Sequence, residues 1–86
     1  MIKEWTDNAW EEYLYWQEQD RKTLKKINNL IKDIDRNGYN CAGKVEPLKE
    51  DLTGFYSDHI DKVNRLVFKI EDNVLLITQC KTHYHK

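Results

Sequence analysis

The amino-acid sequence predicts an α+β fold with the order β-α-α-β-β-β, in which two N-terminal helices pack on a curved, mainly antiparallel sheet. Apolar residues recur at helical spacing in the first half of the chain, whereas in the last third they alternate with polar residues. All three glycines and the only proline lie between these regions, which is typical of a loop. We predict a single domain over 1–86, with a strand over 1–5, helices over 7–19 and 21–36, a loop over 37–54, a three-stranded meander over 55–81 and a tail over 82–86.

The two helices are predicted from apolar stripes and from residues that begin and end helices. Thr6 or Asp7 can cap the first helix, and the break near Asp20 predicts an antiparallel helical hairpin. Asn37-Gly38 is a typical C-terminal stop for the second helix. The predicted stripes are Trp10, Tyr13 and Leu14 in the first helix and Leu24, Ile27, Leu30, Ile31 and Ile34 in the second.

The last third of the chain predicts strands that bury one face. Leu66, Phe68 and Ile70 alternate with Arg65, Val67 and Lys69. Because successive side chains of a strand point to opposite faces, Arg65 is expected to point away from the buried face. Glu71-Asp72 predicts a tight turn to the following antiparallel strand. With the helices on one face, the other face is expected to stay free for a ligand.

The amino-acid composition limits the classes of protein to which this chain can belong. The 86 residues are 40% hydrophobic and 34% charged, which is typical of a soluble globular domain. No apolar run approaches a membrane span, and the first residues do not resemble a signal peptide, so we expect a cytoplasmic protein. The net charge of −1 gives no overall attraction to nucleic acid, so an RNA site requires a local arrangement. Cys41 and Cys80 are expected to be free thiols, with a structural disulfide as the lesser alternative.

Three side chains have the chemistry to act on a phosphodiester. Glu46 lies in a loop with lysines on both sides, and is either a solvated carboxylate or a general base. Arg65 either forms a surface ion pair with Asp58 or Asp61, or binds a phosphoryl oxygen through its guanidinium. His83 follows the last strand, and is either a residue of a frayed tail or a proton donor at neutral pH.

Together these three groups indicate metal-free cleavage of RNA. A carboxylate removes the ribose 2′-OH proton, an arginine stabilises the phosphorane, and an imidazole protonates the departing 5′ oxygen. A metal site is a minor alternative, because its candidate ligands match no standard zinc spacing. Those candidates are His59, Cys80, His83 and His85. We therefore expect neither a metal nor a cofactor.

Several motifs in a fixed order also carry a family resemblance across nearly the whole chain. They are 9–17 and 25–34 in the helices, Gly43-Lys44-Val45-Glu46-Pro47-Leu48-Lys49 in the loop, Arg65-Leu66-Val67-Phe68, and Cys80-Lys81-Thr82-His83-Tyr84. In these motifs the chain resembles the YoeB/Txe toxins of the RelE superfamily, which are bacterial mRNA interferases from toxin–antitoxin pairs. The loop departs from the family pattern G-K-P-E-P-L-K only at Val45.

The resemblance implies a fold, an activity and partners. The implied fold is RelE-like and similar to that of microbial ribonucleases, and the implied activity is cleavage of mRNA in the ribosomal A site. A YefM/Phd-like antitoxin is implied as the cognate inhibitor, promoter DNA as a ligand of the toxin–antitoxin complex alone, and the toxin itself as prone to dimerise. No membrane partner is implied.

The resemblance also implies roles for individual residues. Glu46 is implied as the general base, Arg65 as the stabiliser of the transition state and His83 as the general acid. The implied substrate contacts are Tyr84, Lys49, His59 and Lys44, of which Tyr84 orients the substrate and Lys49 contacts the nucleic acid backbone.

One segment departs from the family pattern W-S-R-R-I. Asp58 and His59 replace its two adjacent arginines, and Asn64 replaces the family's histidine before Arg65. Strand alternation predicts that only one of the two replacements lines the site, where His59 takes the place of a phosphate-binding arginine. Losing such a contact weakens binding by ~1.5–3 kcal/mol, while Asp58 is expected to add a negative charge nearby. The alternative function is therefore a catalytically weakened homologue that acts mainly as an antitoxin-binding and co-repressor module.

Overall fold

Residues 1–43 and 45–82, the part of the chain described by a computed structural model, form five strands and two α-helices. The elements are β1 (Ile2–Trp5), α1 (Asp7–Gln19), α2 (Arg21–Asn37), β2 (Glu46–Pro47), β3 (Tyr56–His59), β4 (Arg65–Glu71) and β5 (Val74–Gln79), with 3-10 turns at Gly38–Asn40 and Glu50–Leu52. The prediction missed β2, a two-residue strand inside the segment expected to be a loop.

The strands form one sheet in the order β1-β5-β4-β3-β2. β1 is parallel to β5, and the other neighbouring pairs are antiparallel. The helices follow β1 directly and pack with the sheet in a shared core. This architecture confirms the predicted α+β class, with two helices on a mainly antiparallel sheet.

Side-chain caps set the boundaries of both helices. The Thr6 hydroxyl accepts the N–H of Ala9 at 3.2 Å at the start of α1. The Asp20 carboxylate caps α2 by accepting the N–H groups of Lys22 and Thr23, at 3.1 and 3.2 Å. Hydrogen bonds from Thr23, first from its hydroxyl and then from its N–H, lower the pKa of Asp20. The predicted helical hairpin therefore turns at a residue that closes α1 and caps α2.

The two predicted helical stripes had different outcomes. On α2 the stripe is confirmed, because its last four apolar residues are buried and Leu24 is partly buried. The buried four are Ile27, Leu30, Ile31 and Ile34. On α1 the stripe is wrong, since Trp10 and Leu14 are exposed and the helix buries Ala9 and Trp16 instead. The reason is tertiary: the Trp16 indole N–H donates to the Cys80 carbonyl at 2.8 Å, which turns that face of the helix inward.

The turn between β4 and β5 lies one residue later than predicted. Glu71 still belongs to β4, and the turn residues are Asp72 and Asn73, with φ of 52° and 64°. Two consecutive positive φ values are typical of a two-residue hairpin turn, and Asp and Asn tolerate that conformation better than most residues.

Both cysteines are free, as predicted, and both are buried. Burial first, and then the neighbouring Glu12 carboxylate, raises the pKa of the Cys80 thiol to about 12. Cys80 therefore behaves as a small apolar residue of the core rather than as a reactive thiol. Among residues 1–43 and 45–82, no helix is both long enough and apolar enough to cross a membrane.

Candidate active site

The strand register brings three predicted site residues to one face of the sheet. Arg65 of β4 lies opposite His59 of β3, and Glu46 of β2 lies opposite Ser57 of β3. Directly paired residues project to the same side of a sheet, and positions two apart in a strand share a face. Glu46, His59 and Arg65 therefore share the face opposite that of the fully buried Leu66. The predicted orientation of Arg65 is confirmed.

The centre of this open face is covered, which corrects the expectation that the whole face is free. Ser57, Val67 and Gln79 form a row across three strands and are nearly fully buried. The Gln79 side-chain amide donates to the carbonyls of Lys81 and Thr82, at 3.1 and 3.2 Å. Lys81 and Thr82 thus lie against the face, which leaves Glu46 and His59 exposed at its margin.

The Arg65 guanidinium is held by carbonyl oxygens instead of carboxylates. Its Nη1 donates to the main-chain oxygens of Asp61 at 2.8 Å and Asn64 at 3.1 Å. Within 1–43 and 45–82, no ion pair includes Arg65, so the predicted alternative of a surface pair with Asp58 or Asp61 is wrong there. Carbonyl contacts orient the guanidinium without neutralising it. Its charge can therefore act on an anionic ligand.

The position of Glu46 follows from the short strand β2. Pro47 pairs with Tyr56, and the Leu48 N–H donates to the Phe55 carbonyl at 2.9 Å, which continues the ladder. Glu46 is exposed, as is Lys49, which follows two residues after the strand. The predicted site residues Lys44, His83 and Tyr84 lie outside the described residues.

The chain leading to His83 is anchored from the helical side. The Cys80 N–H donates to the Glu12 carboxylate at 2.7 Å, and the Cys80 carbonyl accepts the Trp16 indole N–H at 2.8 Å. Two residues later, the Thr82 carbonyl accepts the Arg65 N–H at 2.9 Å. His83 therefore directly follows a residue hydrogen-bonded to Arg65.

Sequence reasoning missed the helical anchors of this tail. Glu12 and Trp16 lie four residues apart and thus on one side of α1, which is the signal that could have paired them. Nothing local in the sequence could have identified Cys80 as their partner, because it is separated from them by more than sixty residues.

Asp58 faces away from the open side, as alternation predicts. It lies opposite Leu66, is 1% exposed, and neither carboxylate oxygen has a hydrogen-bond partner among the residues described. A Cβ on Gly43 would come within 2.5 Å of this carboxylate, so only glycine fits there. Burial raises the pKa of Asp58, against the opposing effect of the nearby His59 amide. The expectation that Asp58 adds a negative charge to the site is therefore wrong.

The Asp58→Asn variant is expected to be more stable than the wild type at pH 7, by about 1–3 kcal/mol. The raised pKa means that the folded state binds the proton more tightly than the unfolded state, for which the value is about 3.9. The free energy of unfolding of the wild type therefore falls as pH rises from the unfolded-state pKa of Asp58 to its higher folded-state pKa. The neutral amide of the variant does not titrate and avoids this loss. Urea denaturation at pH 7 and pH 4 measures the difference, which is expected to shrink at pH 4.

The matched control is Asp51→Asn, because that carboxylate is exposed. It is expected to change stability by less than roughly 0.5 kcal/mol at either pH. A stabilisation of Asp58→Asn that is the same at both pH values would contradict the assignment of a buried carboxyl with a raised pKa.

The proposed zinc ligands do not converge in the described part of the chain. No group of three or more His, Cys, Asp or Glu side chains is arranged there to hold a metal ion. The Cys80 sulfur is buried against the Ala9 carbonyl at 3.6 Å, whereas His59 is exposed at the sheet margin. His83 and His85, the other two candidates, are outside the described ranges.

Comparison with known proteins shows that the chain is similar to bacterial toxins. The sequence profile described as "YoeB-like toxin of bacterial type II toxin-antitoxin system" matches residues 5–84. Toxin YoeB of Escherichia coli (strain K12) is 49% identical over 80 residues, which cover 93% of this chain and 95% of that protein.

Solved structures agree with this sequence similarity. A YoeB–YefM complex from Staphylococcus aureus contains a chain with 45% identity and a TM-score of 0.90. A YoeB dimer from Staphylococcus aureus has 46% identity and the same TM-score. In each case the match covers 98% of both chains.

Proposed function

Because the chain belongs to the family of YoeB-like toxins of bacterial type II toxin–antitoxin systems, we propose that it is a ribosome-dependent endoribonuclease that cleaves mRNA in the A site. The observation that carries the proposal is the placement of Arg65. Its guanidinium lies on the open face and forms no ion pair among the described residues. The main-chain N–H of Arg65 donates to the carbonyl of Thr82, the residue before His83.

In the proposed reaction, the ribose 2′ oxygen attacks the adjacent phosphorus. The Glu46 carboxylate accepts the 2′-OH proton as the new P–O bond forms. The Arg65 guanidinium stabilises the negative charge on the equatorial oxygens of the phosphorane. The His83 imidazolium then protonates the departing 5′ oxygen as its bond to phosphorus breaks, which leaves a 2′,3′-cyclic phosphate and a 5′-OH. Each proton has a donor and an acceptor among these groups, so the scheme requires neither a metal nor a cofactor.

The remaining predicted residues would bind the substrate around this centre. Lys49 and Lys44 flank Glu46 in sequence and would contact the nucleic acid backbone. Tyr84 would orient the nucleotide next to His83. His59 lies directly opposite Arg65, where it can donate a hydrogen bond to a phosphate but lacks the planar guanidinium of the family's arginine.

The proposed partners follow from the family. The cognate inhibitor would be a YefM-like antitoxin, supported by the Staphylococcus aureus complex, and the free toxin would form a homodimer, supported by the dimer structure. Ribosome-bound mRNA would be the substrate, and promoter DNA would be bound by the toxin–antitoxin complex. With these partners the protein would act in the cytoplasm, without a membrane partner.

The second candidate function is an antitoxin-binding and co-repressor module with weak catalysis. The replacement of a family arginine by His59 favours it, since the open face loses a permanent positive charge. Asp58 does not add to this loss, because its carboxylate is buried on the opposite face. The site therefore lacks one supporting cation while retaining Glu46 and Arg65, which favours the enzyme.

Induction of the wild-type protein in bacterial cells is expected to stop growth and to create new mRNA 5′ ends within codons. Glu46→Gln keeps the shape of the side chain but removes the base, and is expected to lower the cleavage rate by roughly 10²–10⁴-fold. Asp51→Asn is the matched control, because it removes an exposed carboxylate from the same segment. Sequencing of mRNA 5′ ends after induction measures cleavage by the wild type and by both variants.

A wild type that binds antitoxin yet generates no new 5′ ends would reject the enzyme in favour of the binding module. Equal cleavage by Glu46→Gln and the wild type would instead remove Glu46 from the mechanism.

A further inference from the structure

The turn of residues 61–64 contacts both Arg65 and the start of the tail. The carbonyls of Asp61 and Asn64 accept from the Arg65 guanidinium, at 2.8 and 3.1 Å. On the other side, the Asn64 side-chain oxygen accepts the Thr82 N–H at 2.6 Å. The main-chain N–H of Arg65 also donates to the Thr82 carbonyl, at 2.9 Å. One four-residue turn therefore fixes Arg65 relative to the residue that precedes His83.

The Asn64 side chain is itself held by Asp61. Its Nδ2 donates to the two carboxylate oxygens of Asp61, at 3.2 and 3.0 Å. The same carboxylate accepts the N–H groups of Val63 and Asn64, at 2.8 and 2.7 Å. Burial alone would raise the pKa of Asp61, but the hydrogen bonds from Asn64 and Val63 outweigh it and lower the pKa. A carboxamide suits this position, because it can donate to a carboxylate while accepting from a backbone amide.

Thr82 needs such a contact because of its backbone conformation. Its φ is 60°, in the left-handed region that β-branched residues rarely adopt. Its carbonyl also accepts from Gln79 Nε2 at 3.2 Å. A conformation that the residue itself disfavours persists only where surrounding contacts impose it. The Asn64 contact is therefore one of the contacts that hold Thr82 in this conformation, directly before His83 in the sequence.

We propose that Asn64 is a positioning residue that aligns the general acid His83 with the phosphate bound by Arg65. The inference rests on the proposed ribonuclease function and adds to it a residue outside the catalytic set. Asn64 acts through Thr82 and contacts no reacting atom, so its loss is expected to impair only the step that needs the acid. That step is protonation of the departing 5′ oxygen.

A substrate with sulfur in place of the bridging 5′ oxygen isolates this step, because a thiolate leaves without protonation. Asn64→Ala is expected to cleave the ordinary ribosome-bound mRNA roughly tenfold more slowly in single turnover, or slower still. On the sulfur substrate its rate is expected to lie within about threefold of the wild type. The toxin concentration at half-saturation is expected to stay within about twofold on both substrates, because binding groups are untouched.

Three variants calibrate the measurement. His83→Ala is expected to show the same pattern with a larger loss on the oxygen substrate, whereas Arg65→Ala is expected to be impaired on both substrates. Val63→Ala is the matched control, since its exposed side chain belongs to the same turn and its N–H bond to Asp61 is retained. It is expected to cleave both substrates at the wild-type rate.

Exchanging the side chains of Asp61 and Asn64 tests directly whether the hydrogen bonds of Asn64 to Asp61 and Thr82 are needed. Asn64→Asp sets two carboxylates against each other and is expected to be impaired on the oxygen substrate. The double variant Asp61→Asn/Asn64→Asp restores a donor at position 61 and keeps an acceptor facing Thr82, and is expected to recover to within about threefold of the wild type.

Equal losses of Asn64→Ala on both substrates, or no loss on either, would overturn the proposal. If Asn64→Ala does not fold, the exchange decides, and a double variant no better than Asn64→Asp would overturn it. A wild type unable to cleave either substrate would overturn the proposed function itself, and this inference with it.

Discussion

Arg65→Lys is expected to lower the rate of mRNA cleavage by about 10²-fold or more and to abolish growth inhibition. The lysine keeps a positive charge but has a single ammonium in place of the planar guanidinium. If it donates to the carbonyls of Asp61 and Asn64, only one N–H is left for a phosphate, whereas the guanidinium still has a planar set of N–H donors for bidentate contact. The measurement is the single-turnover cleavage rate on ribosome-bound mRNA, together with growth after induction.

The matched control is Lys69→Gln, which removes a cation from the same strand and the same face, four residues further on. Its amine lies 3.8 Å from the Glu71 carboxylate and 5.1 Å from the centre of the Phe55 ring, away from the Arg65 contacts. It is expected to cleave at close to the wild-type rate. An Arg65→Lys rate within threefold of the wild type would show that fixed guanidinium geometry is not needed. An equal loss of cleavage rate in Lys69→Gln would indicate that the total positive charge of this sheet face, and not Arg65 in particular, supports cleavage.

Phe68→Ala is expected to lower the free energy of unfolding by about 3–5 kcal/mol. Phe68 is fully buried in the centre of β4 and packs near Tyr39 and Tyr56, with ring centres 6.0 and 6.2 Å away. A domain of this size has a total stability of only about 5–15 kcal/mol, so much of the protein is expected to unfold near body temperature. Urea denaturation followed by circular dichroism measures the change.

Phe55→Ala is the comparison variant, since this ring is only half-buried. It is expected to cost about 1 kcal/mol, in line with the typical effect of a point mutation. A loss below 1 kcal/mol for Phe68→Ala would contradict the view that β4 forms the centre of the core. Cleavage assays on Phe68→Ala require correction for the unfolded fraction, because Phe68 lies three residues from Arg65 on one strand.

The parts of the fold that the sequence predicts well are those in which one element buries a whole face. Ile27, Ile31 and Ile34 repeat at helical spacing because one side of α2 is buried in the core that it shares with the sheet. Leu66 and Phe68 alternate with Arg65 because β4 separates the core from the open face. In both elements, apolar residues recur in the sequence with the same period at which side chains are buried in the structure.

The prediction failed where a partner distant in sequence decides the structure. α1 turns Trp16 inward because its indole bonds to Cys80, and no local pattern contains that partner. β2 exists only because Glu46 and Pro47 pair with β3, since two residues carry no strand signal of their own.

The candidate site likewise has features that local sequence patterns predict and features that depend on residues distant in sequence. Strand alternation predicts the orientation of Arg65 correctly, whereas Glu46 on spacing alone resembles a solvated loop carboxylate and gains a role only in combination with Arg65 and His83 and through the family resemblance. The link from Asn64 to Thr82 joins residues eighteen apart across the open face. It depends on where the chain places Thr82 after β5, which neither periodicity nor composition encodes.

The proline beside Glu46 also restricts how other chains can approach. β2 ends the sheet on that side, and a terminal strand normally offers unpaired amides to which an extended peptide can add. At two residues, one of which lacks an amide hydrogen, β2 is a poor template for such addition. Strand-by-strand aggregation is therefore disfavoured at this border, and a macromolecule that reaches Glu46 has to recognise side chains instead of extending the sheet.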